Sequence, residues 1–112
     1  MSDIFESAER KGGDLSGVFE SDDETSYFYL YQSNESDGQK VLDSIRIFSG
    51  EPDFIEADIS IRWDTSDQKV GLFIRGVMWA VFDVAGQTKL GGNYGHSKNP
   101  ALPPHAHIGF DS

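Results

Sequence analysis

The sequence predicts a mainly β fold: an antiparallel β-meander of about six strands, open or partly rolled, with at most one short N-terminal helix. Three features point there. Residues Ile59 to Trp63 alternate between apolar and polar, two apolar runs meet at Arg75-Gly76, and aromatic and β-branched residues gather in short runs between turn formers. At 112 residues the chain has room for one core and not for two, so residues 1–112 are expected to form a single domain. Its parts are a short helix or arm over 1–13, the meander over 15–90, and a Gly-, Pro- and His-containing tail over 91–112.

Asp3 and Glu6 are spaced like a capping box, Ile4, Phe5 and Ala8 share a helical face, and Gly12-Gly13 supplies a stop. A helix of about two turns follows, which needs docking through Ile4 and Phe5 to persist. Leu15 to Glu20 reads as the first strand. Tyr27 to Tyr31 is the second, with Tyr27, Tyr29 and Tyr31 on one face and Phe28 and Leu30 on the other. The acidic run Glu20-Ser21-Asp22-Asp23-Glu24 joins them. Asn34 to Gly38 is turn-rich, and Val41 to Phe48 follows as a strand. Gly50-Glu51-Pro52-Asp53 then interrupts before Ile59 to Trp63, where Ile59, Ile61 and Trp63 face a dry side and Ser60 and Arg62 a wet one.

Closing a two-residue turn at Arg75-Gly76 pairs Ile74 with Val77, Phe73 with Met78, Leu72 with Trp79, Gly71 with Ala80 and Val70 with Val81. Both faces of this hairpin come out apolar. One holds Val70, Leu72, Ile74, Val77, Trp79 and Val81; the other holds Phe73, Met78, Ala80 and Phe82 around Gly71. Such a sheet needs a second sheet or helix over one side, and a helix, the tail or an identical subunit over the other. Phe73, Met78 and Phe82 are therefore a candidate homodimer face. A last short strand near Thr88 and Leu90 precedes the tail, where Pro100, Pro103 and Pro104 disfavour a helix.

The net charge is −10, from 19 acidic and 9 basic residues. Clustered cations are what grip phosphate backbones and anionic lipid, so neither nucleic acid nor membrane is expected as a partner. Residues 1–67 hold 17 acids and 5 bases, whereas residues 68–112 hold 2 and 4. This division predicts an acidic side and a nearly neutral one. The absence of cysteine removes a disulfide framework, a cysteine zinc site and a thiol nucleophile. No apolar run approaches the ~18 residues of a membrane span, and the first ten residues lack the apolar core of a signal peptide. The cytoplasm is the expected location.

Few motifs carry chemistry. His105-Ala106-His107 places two imidazoles on one side of an extended chain, and His96 adds a third, which makes these residues the candidate metal ligands. They sit in a Pro-rich tail without helical His-Glu-x-x-His spacing, and no cofactor is expected. The acidic runs lack the alternating ligand order and distal Glu of a calcium loop. Gly91 to Lys98 has the glycines of a phosphate loop in the wrong order, with Lys98 after Ser97, and no Gly-x-Ser-x-Gly elbow exists. Tyr27, Tyr29 and Tyr31 form an aromatic row beside the acids Glu20, Asp22, Asp23 and Glu24, either as a half-buried sheet face or as a surface facing a protein partner.

Several segments together, Val18-Phe19-Glu20, Asp22-Asp23-Glu24, Tyr27-Phe28-Tyr29, Leu42-Asp43-Ser44-Ile45, Ile61-Arg62-Trp63 and Ala80-Val81-Phe82-Asp83, resemble a family of short bacterial proteins known only as a domain of unknown function. The resemblance spans about residues 17 to 84. It implies a bacterial, cytoplasmic, stand-alone domain and transfers no activity, cofactor or site. Nothing in the chain assembles into a recognisable reaction centre, which favours a non-catalytic protein-binding or assembly module, including a homodimer, over an enzyme. The alternatives are an acidic immunity or inhibitor protein that neutralises a basic toxin or nuclease, and a metal-binding protein that uses His96, His105 and His107.

Overall fold

The computed structural model describes residues 3–34, 38–50, 53–92, 94 and 102–110. Eight strands follow one another: β1 (Ile4–Glu9), β2 (Leu15–Ser21), β3 (Thr25–Asn34), β4 (Gly38–Ser49), β5 (Ile59–Trp63), β6 (Lys69–Ile74), β7 (Val77–Asp83) and β8 (Thr88–Gly91). They form two antiparallel four-stranded sheets, β1-β2-β3-β4 and β5-β6-β7-β8, each a meander in chain order. The mainly β, antiparallel expectation holds. The single six-stranded sheet becomes two packed sheets, because Gly50 (φ 108°) and a short 3₁₀ turn at Glu56–Asp58 carry the chain across from β4 to β5.

The N-terminal helix is not formed. Residues 4–9 are strand β1, paired with β2 from Ile4 opposite Ser21 to Glu9 opposite Ser16. Two turns of helix would have left most of their terminal backbone groups unpaired, whereas the ladder pairs those of Ile4, Glu6 and Ala8 with β2 and lets Ile4 reach the core. Gly12 and Gly13, at φ 104° and 79°, turn a hairpin instead of ending a helix, and Arg10 spans that turn to Asp14 (Nε to Oδ1, 3.0 Å).

The core lies between the sheets. Phe19, Phe28, Ile45 and Ile47 from the first sheet meet Val70, Leu72, Ile74, Ala80 and Phe82 from the second, with the Phe28 and Phe82 rings 5.0 Å apart. Gly17 lets the sheets approach, since a Cβ there would strike Val70 Cγ2 and press on Ile61 Cγ2.

The β6–β7 hairpin closes at Arg75-Gly76 as expected, both residues at positive φ (53° and 81°) as a type I′ turn requires. Ile74 opposes Val77 and Phe73 opposes Met78, but a β-bulge then leaves Trp79 unpaired, so Leu72 opposes Ala80, Gly71 opposes Val81 and Val70 opposes Phe82. One inserted residue exchanges the faces of everything beyond it. Ala80 and Phe82 turn into the core and Val81 turns outward, the reverse of the unbulged pairing. The bulge is set from β8: a Cβ at Gly91 would collide with Trp79 O, and Gly92 N–H donates to that same oxygen at 2.9 Å.

The outer face of the hairpin is therefore Phe73, Met78 and Val81, and the chain covers it itself. Residues 102–110, including a 3₁₀ turn at Pro104–His107, lie across it and bury Ala106 and Phe110. Phe110 meets Phe73 edge-on with ring centres 5.6 Å apart. Polar ties hold this strap. Lys69 Nζ donates to Ile108 O at 2.6 Å and His105 O at 3.2 Å, Arg62 Nη2 donates to Phe110 O at 2.7 Å, and Thr65 N–H donates to Gly109 O at 3.0 Å. The face expected to await an identical subunit is thus occupied by the C-terminal strap at Phe73 and Met78, while Phe82 lies in the inter-sheet core and not on that face.

Asp64 anchors the β5–β6 turn beneath the strap. Its Oδ1 accepts from Gln68 N–H (2.9 Å) and Lys69 N–H (3.0 Å), and its Oδ2 accepts from the Ser66 hydroxyl (2.7 Å). Burial raises the carboxyl's affinity for a proton, but these donors and the Lys69 charge outweigh it and hold Asp64 below the ordinary carboxylate value.

Two outcomes follow. Phe110→Ala empties a buried aromatic site and is expected to cost about 3 kcal/mol in urea unfolding, whereas Ile108→Ala, at a side chain that is 65% exposed, should change stability by no more than about 0.5 kcal/mol. Because the folded-state value of Asp64 is depressed, its contribution is present above the ordinary carboxylate value and is lost as pH falls through the folded one. Asp64→Asn should therefore be destabilised by about 1–3 kcal/mol at neutral pH, and the gap to wild type should shrink in acid.

Candidate functional site

With the outer face of the second sheet covered by the strap, the outer face of β1-β2-β3-β4 remains uncovered among the described residues. Alternation along β3 puts Tyr27, Tyr29 and Tyr31 on it, all half-buried, while Phe28 and Leu30 point into the core. Tyr27 and Tyr29 stack, ring centres 5.8 Å apart and planes at 18°, and Tyr31 meets Tyr29 edge-on at 5.8 Å and 64°. The register sets Glu20 and Arg46 on either side of Tyr27, Val18 and Ser44 beside Tyr29, and Ser16 and Val41 beside Tyr31. Burial, then the Glu20 carboxylate and the flanking phenols, raise the Tyr29 hydroxyl above its ordinary value, so it is a protonated hydrogen-bond donor at neutral pH.

Next to the stacked pair is a depression of about 450 Å³ lined by Asp3, Ile4, Phe5, Glu20, Ser21, Asp22, Thr25, Tyr27 and Tyr29. It unites four of the residues proposed from sequence, Glu20, Asp22, Tyr27 and Tyr29, and leaves Asp23, Glu24 and Tyr31 outside. Phe5 joins from β1 and Asp3 from just before it, and the sequence does not single them out as site residues because the segment fits a helical pattern. Phe5 is 58% exposed, an aromatic ring standing in water at the rim. Beneath the floor, the Ser21 and Ser26 hydroxyls share a buried hydrogen bond of 2.7 Å.

The acids of the β2–β3 turn are not equivalent. Asp22 Oδ1 accepts from Glu24 N–H and Thr25 N–H, each at 2.8 Å, and Asp22 N–H donates to Thr25 O at 3.0 Å. The Thr25 and Glu24 N–H groups hold the Asp22 carboxyl below its ordinary value, so this residue builds the turn. Glu20 and Glu24 are exposed.

A second polar cluster closes one end of the sandwich, and no sequence signal announced it. Arg75 Nη2 donates to Asp53 O (2.6 Å), its Nε lies 3.4 Å from Asp58 Oδ2, and its Nη1 reaches the Tyr94 hydroxyl (3.3 Å), which in turn donates to Asp53 Oδ1 (2.7 Å). The Tyr94 ring stands edge-on to Trp79 (4.8 Å), Phe54 (5.4 Å) and Phe48 (5.9 Å). Burial, then the Asp53 carboxylate, raises the Tyr94 phenol, which stays a donor and ties the β6–β7 turn to the residues that follow β8.

His105 and His107 are both exposed and lie on a 3₁₀ turn, where residues two apart point in different directions, so the alternation of an extended chain does not apply to them. His96 lies outside the described residues. Among the described residues no group of three or more His, Asp or Glu side chains is arranged to hold a metal. The charge division also changes once the sheets are known. A cut after residue 67 passes between two strands of one sheet; cutting at the crossing between sheets gives 11 acids and 4 bases over residues 1–50, against 8 and 5 over residues 51–112. The first sheet's segment is the more acidic, by a smaller margin than the sequence division suggested.

Two meander sheets packed on a shared core, one outer face strapped and the other open, define a small all-β sandwich domain. Among its described residues no helix is long and apolar enough to cross a membrane. Residues 2–108 match the model of the family described as an uncharacterized protein conserved in bacteria, DUF2251, and the chain belongs to that family. The match takes in both β1 and most of the C-terminal strap. No curated protein and no solved structure matches the chain.

If Asp22 is the turn builder, Asp22→Ala should lower the thermal unfolding midpoint at neutral pH while Asp23→Ala leaves it unchanged. The depressed folded-state value means that the Asp22 contribution is lost as pH falls through it, so the two variants should converge in acid.

Proposed function

We propose that this protein is a non-catalytic binding module that receives a cationic segment of a partner protein on the open face of its first sheet. The observation that carries this reading is the meeting of the stacked Tyr27–Tyr29 pair with Glu20, Asp22, Asp3 and the exposed Phe5 around one depression. Tyrosine rings offer broad contact area at small entropic cost together with a polar tip. A guanidinium or ammonium placed over such a ring gains from its electron-rich face, and nearby carboxylates add attraction and faster encounter. Both terms favour a basic partner, and the net charge of −10 repels an acidic one.

A sharper form of the same reading is an inhibitor or immunity protein whose Glu20 to Glu24 segment stands in for phosphates at the binding cleft of a basic toxin or nuclease. The exposed carboxylates of Glu20 and Glu24 at one end of the β2–β3 hairpin favour it. The two forms share a surface and differ in the partner's activity.

The test is titration of isotope-labelled protein with a ten-residue peptide rich in Lys and Arg. Amide shifts are expected at Phe5, Glu20, Tyr27 and Tyr29, with affinity that falls as salt is raised. Glu20→Lys and Tyr29→Ala should each weaken binding by at least about tenfold, equivalent to ~1.4 kcal/mol. Shifts confined to the second sheet, or binding indifferent to Glu20→Lys, would contradict the proposal.

A further inference from the structure

The hydrogen-bond alternation of the first sheet identifies which backbone groups of β1 are left over. Arg10 N–H donates to Leu15 O (2.7 Å) and Asp22 N–H donates to Thr25 O (3.0 Å), which marks both as bonded pairs. In an antiparallel ladder bonded and non-bonded pairs alternate, so on β1 it is Ile4, Glu6 and Ala8 whose N–H and C=O groups turn toward β2. Those of Phe5, Ser7 and Glu9 point out of the sheet's edge. Among the described residues none of these six groups has a hydrogen-bond partner; the Trp63 indole of β5 does reach β1, but its Nε1–H donates to Ala8 O at 2.9 Å, a carbonyl already turned toward β2.

Exposed edges are usually defended by lysine, proline, a bulge or a covering segment. The other edge of this sheet is so defended: β4 contains two irregularities in its pairing, and Tyr94 N–H and Lys89 Nζ occupy Ile47 O (2.8 Å) and Ser44 O (3.0 Å). In the second sheet the edge strands β5 and β8 are short, five and four residues. β1 has six residues, unbroken pairing with β2, and neither lysine nor proline. Its chemistry is acidic instead: Glu6 and Glu9 lie on it, Asp3 precedes it, and Glu20 sits opposite Phe5 on the neighbouring strand. Antiparallel pairing with a second copy would bring these carboxylates together, which disfavours a twin and admits a basic strand.

We propose that a basic, extended segment of the partner adds to β1 as a fifth strand of the first sheet. Its backbone exchanges hydrogen bonds with Phe5, Ser7 and Glu9, and its alternate lysine or arginine side chains lie over Phe5 toward Glu9 and Glu20. This rests on the cationic-partner reading above and adds the mode of binding: main-chain bonds supply affinity, and the acid–tyrosine face supplies the preference for basic side chains.

The experiment uses the intact protein and a ten-residue peptide of alternating Lys and Val, in three forms: unmodified, and N-methylated at every second residue on one edge or on the other. Strand addition predicts slowed amide exchange at Phe5, Ser7 and Glu9 on binding. One N-methylated peptide should lose at least tenfold in affinity while the other binds as the parent does. Ser7→Pro removes an outward N–H without touching a β1–β2 bond and should weaken binding at least tenfold, and Ser7→Ala should not; the peptide series still decides the matter if Ser7→Pro fails to fold. Binding that is sensitive to Glu20→Lys but treats both N-methylated peptides alike, with exchange at Phe5, Ser7 and Glu9 unchanged, would overturn strand addition and leave the cationic-partner reading standing. Absence of any binding at low salt would overturn both, and a dimer of the protein broken by Ser7→Pro would replace the basic partner with a second copy.

Discussion

The β6–β7 hairpin is apolar on both faces, and each face has to be kept from water. Phe28, Phe19 and their neighbours in the first sheet cover Leu72, Ala80 and Phe82 on one side, while Ala106 and Phe110 cover Phe73, Met78 and Val81 on the other. The rest of the architecture is arranged around that hairpin. Four strands must be gathered into a separate sheet to supply the inner cover, and the chain after β8 must return across the molecule to supply the outer one. The strap's backbone carbonyls are held by Lys69 and Arg62, residues of the very sheet it covers.

This division of labour explains why the two outer faces differ. The second sheet's outer face is consumed by folding, so its side chains are apolar and its charged residues serve as ties. The first sheet's outer face carries no such duty, and there the side chains are tyrosines and carboxylates with an exposed phenylalanine at the edge. Half-buried stacked tyrosines keep their hydroxyls toward water and leave part of each ring to be covered, which is what the proposed binding role draws on. The Arg75–Asp53–Tyr94 cluster and Asp64 spend their polar groups internally, on the end of the sandwich and on a turn.

Much of this was legible in the sequence, and the exceptions have physical causes. The tyrosine row needed only the two-residue period of β3, and the Arg75-Gly76 turn announced itself by chemistry. Residues 4–9 misled because Ile4, Phe5 and Ala8 fit one helical face, and the ladder partner that decides otherwise begins beyond a glycine turn. Phe5, exposed on the strand's wet face, also removes the clean alternation that would have marked a strand. The bulge at Trp79 has no local signature: it is imposed by the close passage of Gly91 and Gly92, and one unpaired residue was enough to exchange Val81 for Phe82 between core and surface. Nothing in the sequence around Asp64 signals that it is buried, since its burial depends on a strap that returns from far along the chain.

Among the described residues one outer face is sealed by the chain itself while the other stands open. Hydroxyl-radical footprinting with residue-level mass spectrometry tests it most directly, since it reads side-chain access in the folded protein. Phe5, Tyr27, Tyr29 and Tyr31 should be oxidised readily, and Phe73, Met78 and Phe110 should be protected until the protein unfolds. Oxidation of Met78 and Phe73 in the native protein at rates like that of Phe5 would mean that the strap does not cover its face, and would contradict the account.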